Sequence, residues 1–191
     1  MRIEKVKIEV AKLYNGNNLN ADPWIVWAYP NHVQVVAKNA ARIAAEQKAD
    51  VEMSVAGALL HDIADTSMSR FANGHEEESL RIAYDILEKC GYNGQEREFI
   101  VNEIIAPHSC SHTFPTTLEG KVVATADAMA HFQTDFFLYF AWQHLGGKDL
   151  SSLKEWVLIK IEKHYGKKIL FDKYRKEIEL EYKAIKLLFS K

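Results

Sequence analysis

The chain has 191 residues, 48% of them hydrophobic and 26% charged, with a formal net charge of −2. That length and composition suit one domain with a substantial buried core. The mild acidity excludes the basic stripe that long nucleic acid requires, so no such partner is expected.

Helical signals dominate from the start. Residues 1–14 alternate charged and apolar side chains, predict a first helix and lack the apolar stretch of a secretion signal. Asn15-Gly16-Asn17-Asn18 breaks it, and Trp24 to Pro30 reads as a loop or short turn. From Asn31 to about Gln47, Val33, Val36, Ala40, Ile43 and Ala44 recur at helical spacing. Asp50 caps the next helix, which runs through the apolar residues 55–60 into His61-Asp62. A polar loop covers Thr66 to Gly74. The segment 75–90 then places Leu80, Ala83, Ile86 and Leu87 on one face before Gly91.

Asn93 with Glu96 opens a further helix that Pro107 ends. Thr116 with Glu119 reads as a capping box for a long helix to about Leu145, stopped by Gly146-Gly147. Its aromatic stretch, Phe132 to Trp142, is either core or a nucleobase wall. The longest aromatic-rich run, Phe136 to Trp142, is far short of the ~20 residues that span a bilayer, so no membrane is expected. Ser152 with Glu155 starts another helix, ended at Gly166, and Asp172 begins the last. No alternating run bounded by hairpin turns occurs, so an all-α, single-domain bundle over residues 1–191 is expected. Cys90 and Cys110 have no metal or disulfide spacing and fit reduced thiols in a cytoplasmic protein.

The chemistry concentrates at His61-Asp62. A carboxylate after an apolar run is costly unless a cation meets it. Taken alone, the pair also fits a helix end with a semi-buried histidine. His32, His75 and His108 fall at helix ends, and Asp127 lies within the apolar run Val122 to Ala126. Spacing does not show that these residues converge. Imidazole and carboxylate donors suit Mn, Fe, Co, Ni or Zn, and the lack of cysteine argues against a closed structural zinc site.

The order His32, His61-Asp62, Asp127 resembles the HD-domain superfamily of metal-dependent phosphohydrolases. The contexts Asn-His-Val-Gln-Val-Val-Ala, Ala-Leu-Leu-His-Asp-Ile-Ala-Asp and Thr-Leu-Glu-Gly-Lys-Val-Val-Ala-Thr-Ala-Asp carry the likeness over residues 30–130. The resemblance implies that His32, His61, Asp62 and Asp127 hold one divalent transition metal. Some members hold a second ion with two further histidines, and His75 and His108 match that order. His112 is an alternative to His108, so one or two ions fit.

Hydrolysis by metal-activated water follows from this donor set, with Asp62 as the natural bridge. Asp65 is the candidate to orient or deprotonate that water. It resembles the acid that follows the pair in nucleotide pyrophosphohydrolase members, which often carry a second acid next to it; here that position is Thr66. Arg70 and Lys121 are the candidate phosphate contacts, and His131, four residues after Asp127, a candidate substrate contact. His144 and His164 are left as structural or surface residues. The expected activity is hydrolysis of a small phosphorylated metabolite, most simply a nucleotide. A di-iron HD-type oxygenase and a non-catalytic metal or nucleotide sensor are the alternatives.

Overall fold

Helical periodicity is realised throughout. In the computed structural model, which describes residues 1–16, 21–143 and 149–191, every regular element is a helix. Helix α1 (Arg2–Tyr14) buries Val6, Val10 and Tyr14 along one stripe. Helix α2 (Ile25–Ala28) runs into a π-helical turn, Tyr29–Val33, so the segment expected as a loop is largely helical. Pro30 has no N–H to donate and its ring crowds the carbonyl one turn back. The wider turn accommodates it, and Asn31 Nδ2 donates to the Trp27 carbonyl at 2.9 Å.

Helices α3 (Gln34–Gln47), α4 (Val51–Leu60) and, later in the chain, α7 (Leu118–Gln133) pack against one another at the centre. Every residue of α4 from Ser54 to Leu60 is buried, as is all of α7 from Gly120 to Phe132 except Lys121. Helices apolar on nearly all sides are interior helices. Polar side chains on them are therefore held inside the core. Asp50 caps α4 as expected, accepting the Met53 N–H at 2.9 Å.

After α4 comes a 3-10 turn, Ile63–Thr66, then α5 (His75–Cys90) and α6 (Gly94–Glu98), which continues as a π-helical stretch, Phe99–Ile105. Asn93 and Glu96 form the reciprocal capping box. Helix α7 is capped by Thr117 rather than Thr116. Thr117 Oγ1 accepts the Gly120 N–H at 3.1 Å and donates to the Glu103 carbonyl at 3.1 Å, while Glu119 accepts the Asp50 N–H at 3.0 Å. The long helix expected to Leu145 is two: α7 stops where Thr134 turns extended, and α8 covers Phe136–Gln143. The expected end at Leu145 and stop at Gly146-Gly147, with His144, lie outside the described residues, as do Asn17 and Asn18.

Helix α9 (Leu150–Lys163) starts earlier than expected, because Asp149 and not Ser152 caps it, accepting the Ser152 N–H at 3.0 Å. It continues past the expected stop at Gly166 as a π-helical turn, His164–Lys168. The last segment is α10 (Asp172–Glu177) and α11 (Glu179–Phe189) instead of one helix. Leu170 N–H donates to Thr125 Oγ1 at 3.1 Å and Arg175 Nη2 to the Ile169 carbonyl at 2.6 Å. The first bond fastens the end of the α9 extension onto α7, and the second ties it to α10.

Candidate metal centre

Four elements deliver the central side chains. His32 stands in the π-helical turn before α3, His61 at the end of α4, and Asp127 inside α7. Asp62, at φ −127° and ψ 36°, breaks the helix directly after His61. At that helix end His61 Nδ1 donates to the Ala58 carbonyl at 2.7 Å. His108 repeats the device after the π-helical stretch, its Nδ1 meeting the Ile105 carbonyl at 2.6 Å. Carbonyls three residues back are the groups a helix end leaves free. A carbonyl only accepts, so Nδ1 carries the proton in both rings. Each Nε2 lone pair is then available to a metal.

The donors converge. His32 Nε2 is 3.3 Å from His61 Nε2 and 3.3 Å from Asp127 Oδ1. His61 Nε2 is 3.3 Å from Asp62 Oδ2 and 3.8 Å from Asp127 Oδ1. Donors bound at about 2.1 Å to one ion sit about 3.0–3.4 Å apart in octahedral or tetrahedral geometry; His32, His61 and Asp127 come close to that spacing, and His61, Asp62 and His108 form a second group of the same kind. Asp127 Oδ1 is buried and has no hydrogen-bond partner among the described residues. A cation is the group such an oxygen lacks. The donor set therefore fits a divalent ion. His108 Nε2, 3.6 Å from Asp62 Oδ1, extends the cluster along the other oxygen of Asp62.

Burial sets the protonation states. It pushes His32, His131 and His164 well below the ordinary histidine range, lowers His61, and lowers His108 to about 3. All five are neutral near pH 7, the form that ligates metal. Burial alone would raise the Asp127 carboxyl, but the Lys168 ammonium bonded to it overcomes this and holds it well below the usual carboxylate range. Arg70 Nη2 is bonded to Asp62 Oδ2 in the same way.

Of the residues expected at the site, His32, His61, Asp62, Asp127 and His108 meet there. His75 goes elsewhere: its Nε2 is 2.8 Å from Asp65 Oδ1. Asp65 is 2% exposed, does not line the cavity beside the cluster, and burial raises its pKa despite the His75 bond. The Ala64 N–H bond to Ser79 Oγ, 3.2 Å, ties the turn that carries Asp65 to α5, which carries His75. Arg70 reaches Asp62 and lies 3.4 Å from Asp65, and His131 Nε2 lies 3.5 Å from Asp127 Oδ1. Lys121, like Asp65, does not line the cavity, and neither does the exposed His112.

The cavity is about 460 Å³. Sequence reasoning missed the cations that line it from the far end of the chain, Lys160, Lys163 and Lys168, and the buried His164 against His131, ring centroids 4.4 Å apart. The helical spacing 160, 163, 164 and 168 was a visible signal, but nothing in it tells which face turns inward.

Residues 29–131 match the family described as HD domain. No curated protein and no solved structure matches the chain. Among the described residues no helix is long and apolar enough to cross a membrane.

Proposed function

The chain belongs to the HD-domain family, and from that premise we propose that it is a metal-dependent phosphohydrolase, cleaving a phosphate ester or anhydride of a small metabolite at the His32–His61–Asp62–Asp127 cluster. Two overlapping groups of donors at the spacing of an ion, His32–His61–Asp127 and His61–Asp62–His108, with an orphaned carboxylate oxygen in the first, support this reading. His32, His61, Asp62 and Asp127 would hold a divalent ion there, which would supply Lewis-acid polarisation of a phosphoryl oxygen and an acidified water.

The protein's own groups do the rest. The Ala58 and Ile105 carbonyls hold His61 and His108 in one tautomer and orientation. Arg70 and Lys168, bonded to the two cluster carboxylates, stand where the charge of a transferring phosphoryl group develops. His75 lines the cavity with Asp65 bonded behind it, an arrangement suited to orienting and deprotonating an attacking water through the imidazole. In that role Asp65 positions His75.

Metal analysis of the purified protein, then a phosphate-release screen over nucleotides and phosphomonoesters with Mn, Co, Ni and Mg, tests the proposal. Bound transition metal and metal-dependent release are expected, and Asp62→Ala lowers both. Unchanged metal content in that variant removes the metal reading. Oxygen consumption by an iron-loaded protein that releases no phosphate moves the assignment to an oxygenase.

A further inference from the structure

The cavity has a second chemical character beyond the His–Asp cluster. Lys160, Lys163 and Lys168 line it from α9 and its π-helical extension, all beyond the residues that match the family. Lys160 Nζ lies 5.3 Å from the Trp156 ring centroid, and Lys163 Nζ donates to Ser111 Oγ at 2.7 Å. Among the described residues neither ammonium has a carboxylate ion-pair partner, in contrast to Lys168 and Arg70. Burial lowers the pKa of both, and neighbouring ammonium groups lower them further. Both are half-buried, and a cation partly withdrawn from water without a counter-ion is stabilised by a bound anion.

Charge counting says how much anion. Asp62 and Asp127 carry two negative charges at the cluster, and a divalent ion held by them cancels both. A single phosphomonoester then brings about −1.5 to −2, which Arg70 and Lys168 match. Lys160 and Lys163 remain. Glu76 and Glu77 also line the cavity, but both are exposed at the first turn of α5, where water and salt screen them. The volume, about 460 Å³, falls within the range of small-ligand sites, roughly 300–1,000 Å³. It leaves room for an organic group against Phe136, Phe140 and Trp156.

We propose that the substrate carries a second phosphoryl group, as an organic di- or triphosphate, and that Lys160 and Lys163 hold it while the first sits at the His–Asp cluster. The assignment rests on the phosphohydrolase reading for the place of the first phosphoryl group. Lys160 and Lys163 are thereby specificity residues.

Calorimetric titration of the full chain with methylenediphosphonate and with methylphosphonate, neither of them hydrolysable, tests this. The diphosphonate is expected to bind at least about tenfold tighter, from two added charge-assisted contacts. The double variant K160M/K163M should weaken diphosphonate binding at least about tenfold more than methylphosphonate binding, and K160R/K163R should keep the preference. Chelation by the cluster's ion is common to all these proteins and cancels in the comparison. If circular dichroism shows the double variant unfolded, single K160M and K163M carry the test, each removing part of the preference. Equal affinities in the unaltered chain, or a preference that the Met variants leave intact, overturn the proposal. Phosphate release from monoesters without a diphosphonate preference overturns this inference alone. A lysine-dependent preference with no release from any substrate overturns the hydrolase reading alone.

Discussion

Lys168 and Asp127 are 4% and 2% exposed and bonded to each other, one at the end of the α9 extension and the other inside α7. Neither charge has enough water to stand alone, so Lys168 depends on Asp127, and Asp127 on Lys168 or a metal. Without metal, Asp127→Ala strands a buried ammonium and is expected to cost about 3–5 kcal/mol. The double variant Asp127→Ala, Lys168→Met removes both charges and should regain most of that loss. Urea unfolding in a chelating buffer measures both, and a neutral Asp127→Ala would show that the pair has no weight. Asp127 could be read from the sequence because a carboxylate within an apolar helix demands a partner. Lys168 could not, because Lys167 and Lys168 are equivalent until the π-helical turn buries one and exposes the other.

At the scale of elements, two glycines let α4 and α7 approach the π-helical stretch Phe99–Ile105 closely. A Cβ on Gly57 of α4 would lie 2.5 Å from Ile104 Cγ2, and one on Gly120 of α7 would lie 2.5 Å from the Glu103 carbonyl oxygen. A side-chain methyl can shift by rotation or repacking, whereas a main-chain oxygen moves only with its helix. Gly120→Ala is therefore expected to destabilise more than Gly57→Ala, each within about 1–3 kcal/mol. Thermal unfolding of the two variants ranks them, and the reverse order would contradict the close approach at Glu103. Most helices and stops were legible, since the periodicity, Asp50 and the Asn93–Glu96 box are local signals. The cap of α7 was not. Thr116 and Thr117 both have acceptable spacing, and the choice falls to Thr117 through the distant Glu103 carbonyl, while Asp50 takes Glu119. The break at Thr134 was hidden in the same way, within an aromatic run that continues on both sides of it. The four cluster residues were found by residue type and order, but their convergence depends on α3, α4 and α7 packing together, which no local pattern encodes.

Across the whole molecule, five buried histidines make stability depend on pH. The folded-state pKa of His32, His61, His108, His131 and His164 lies below the ordinary 6.5. Between those values the unfolded chain binds more protons, so stability rises with pH. Their contribution is complete above about pH 6.5 and is lost as pH falls toward the folded values, about 3 for His108. The depressed Asp127 acts in the same direction at lower pH. Asp65, raised by burial, acts oppositely: its contribution is present at low pH and lost as pH rises through its folded value. The histidines outnumber it. In metal-free buffer the unfolding free energy should drop from pH 7 to pH 4.5 by up to about 1.4 kcal/mol per pH unit for each histidine. A flat profile over that interval would mean that these rings are not buried neutral. The cationic side of the cavity also has a kinetic consequence. A divalent ion travelling to or from the cluster through this mouth must pass Arg70, Lys160, Lys163 and Lys168, all of its own sign. Glu76 and Glu77 on the same lining are exposed and screened, so loading is expected to be slow in dilute buffer and to quicken with ionic strength, the reverse of an attractive funnel. An anionic substrate is drawn by the same charges, so metal uptake is expected to be slower than substrate binding, and stopped-flow uptake at two ionic strengths would measure the difference.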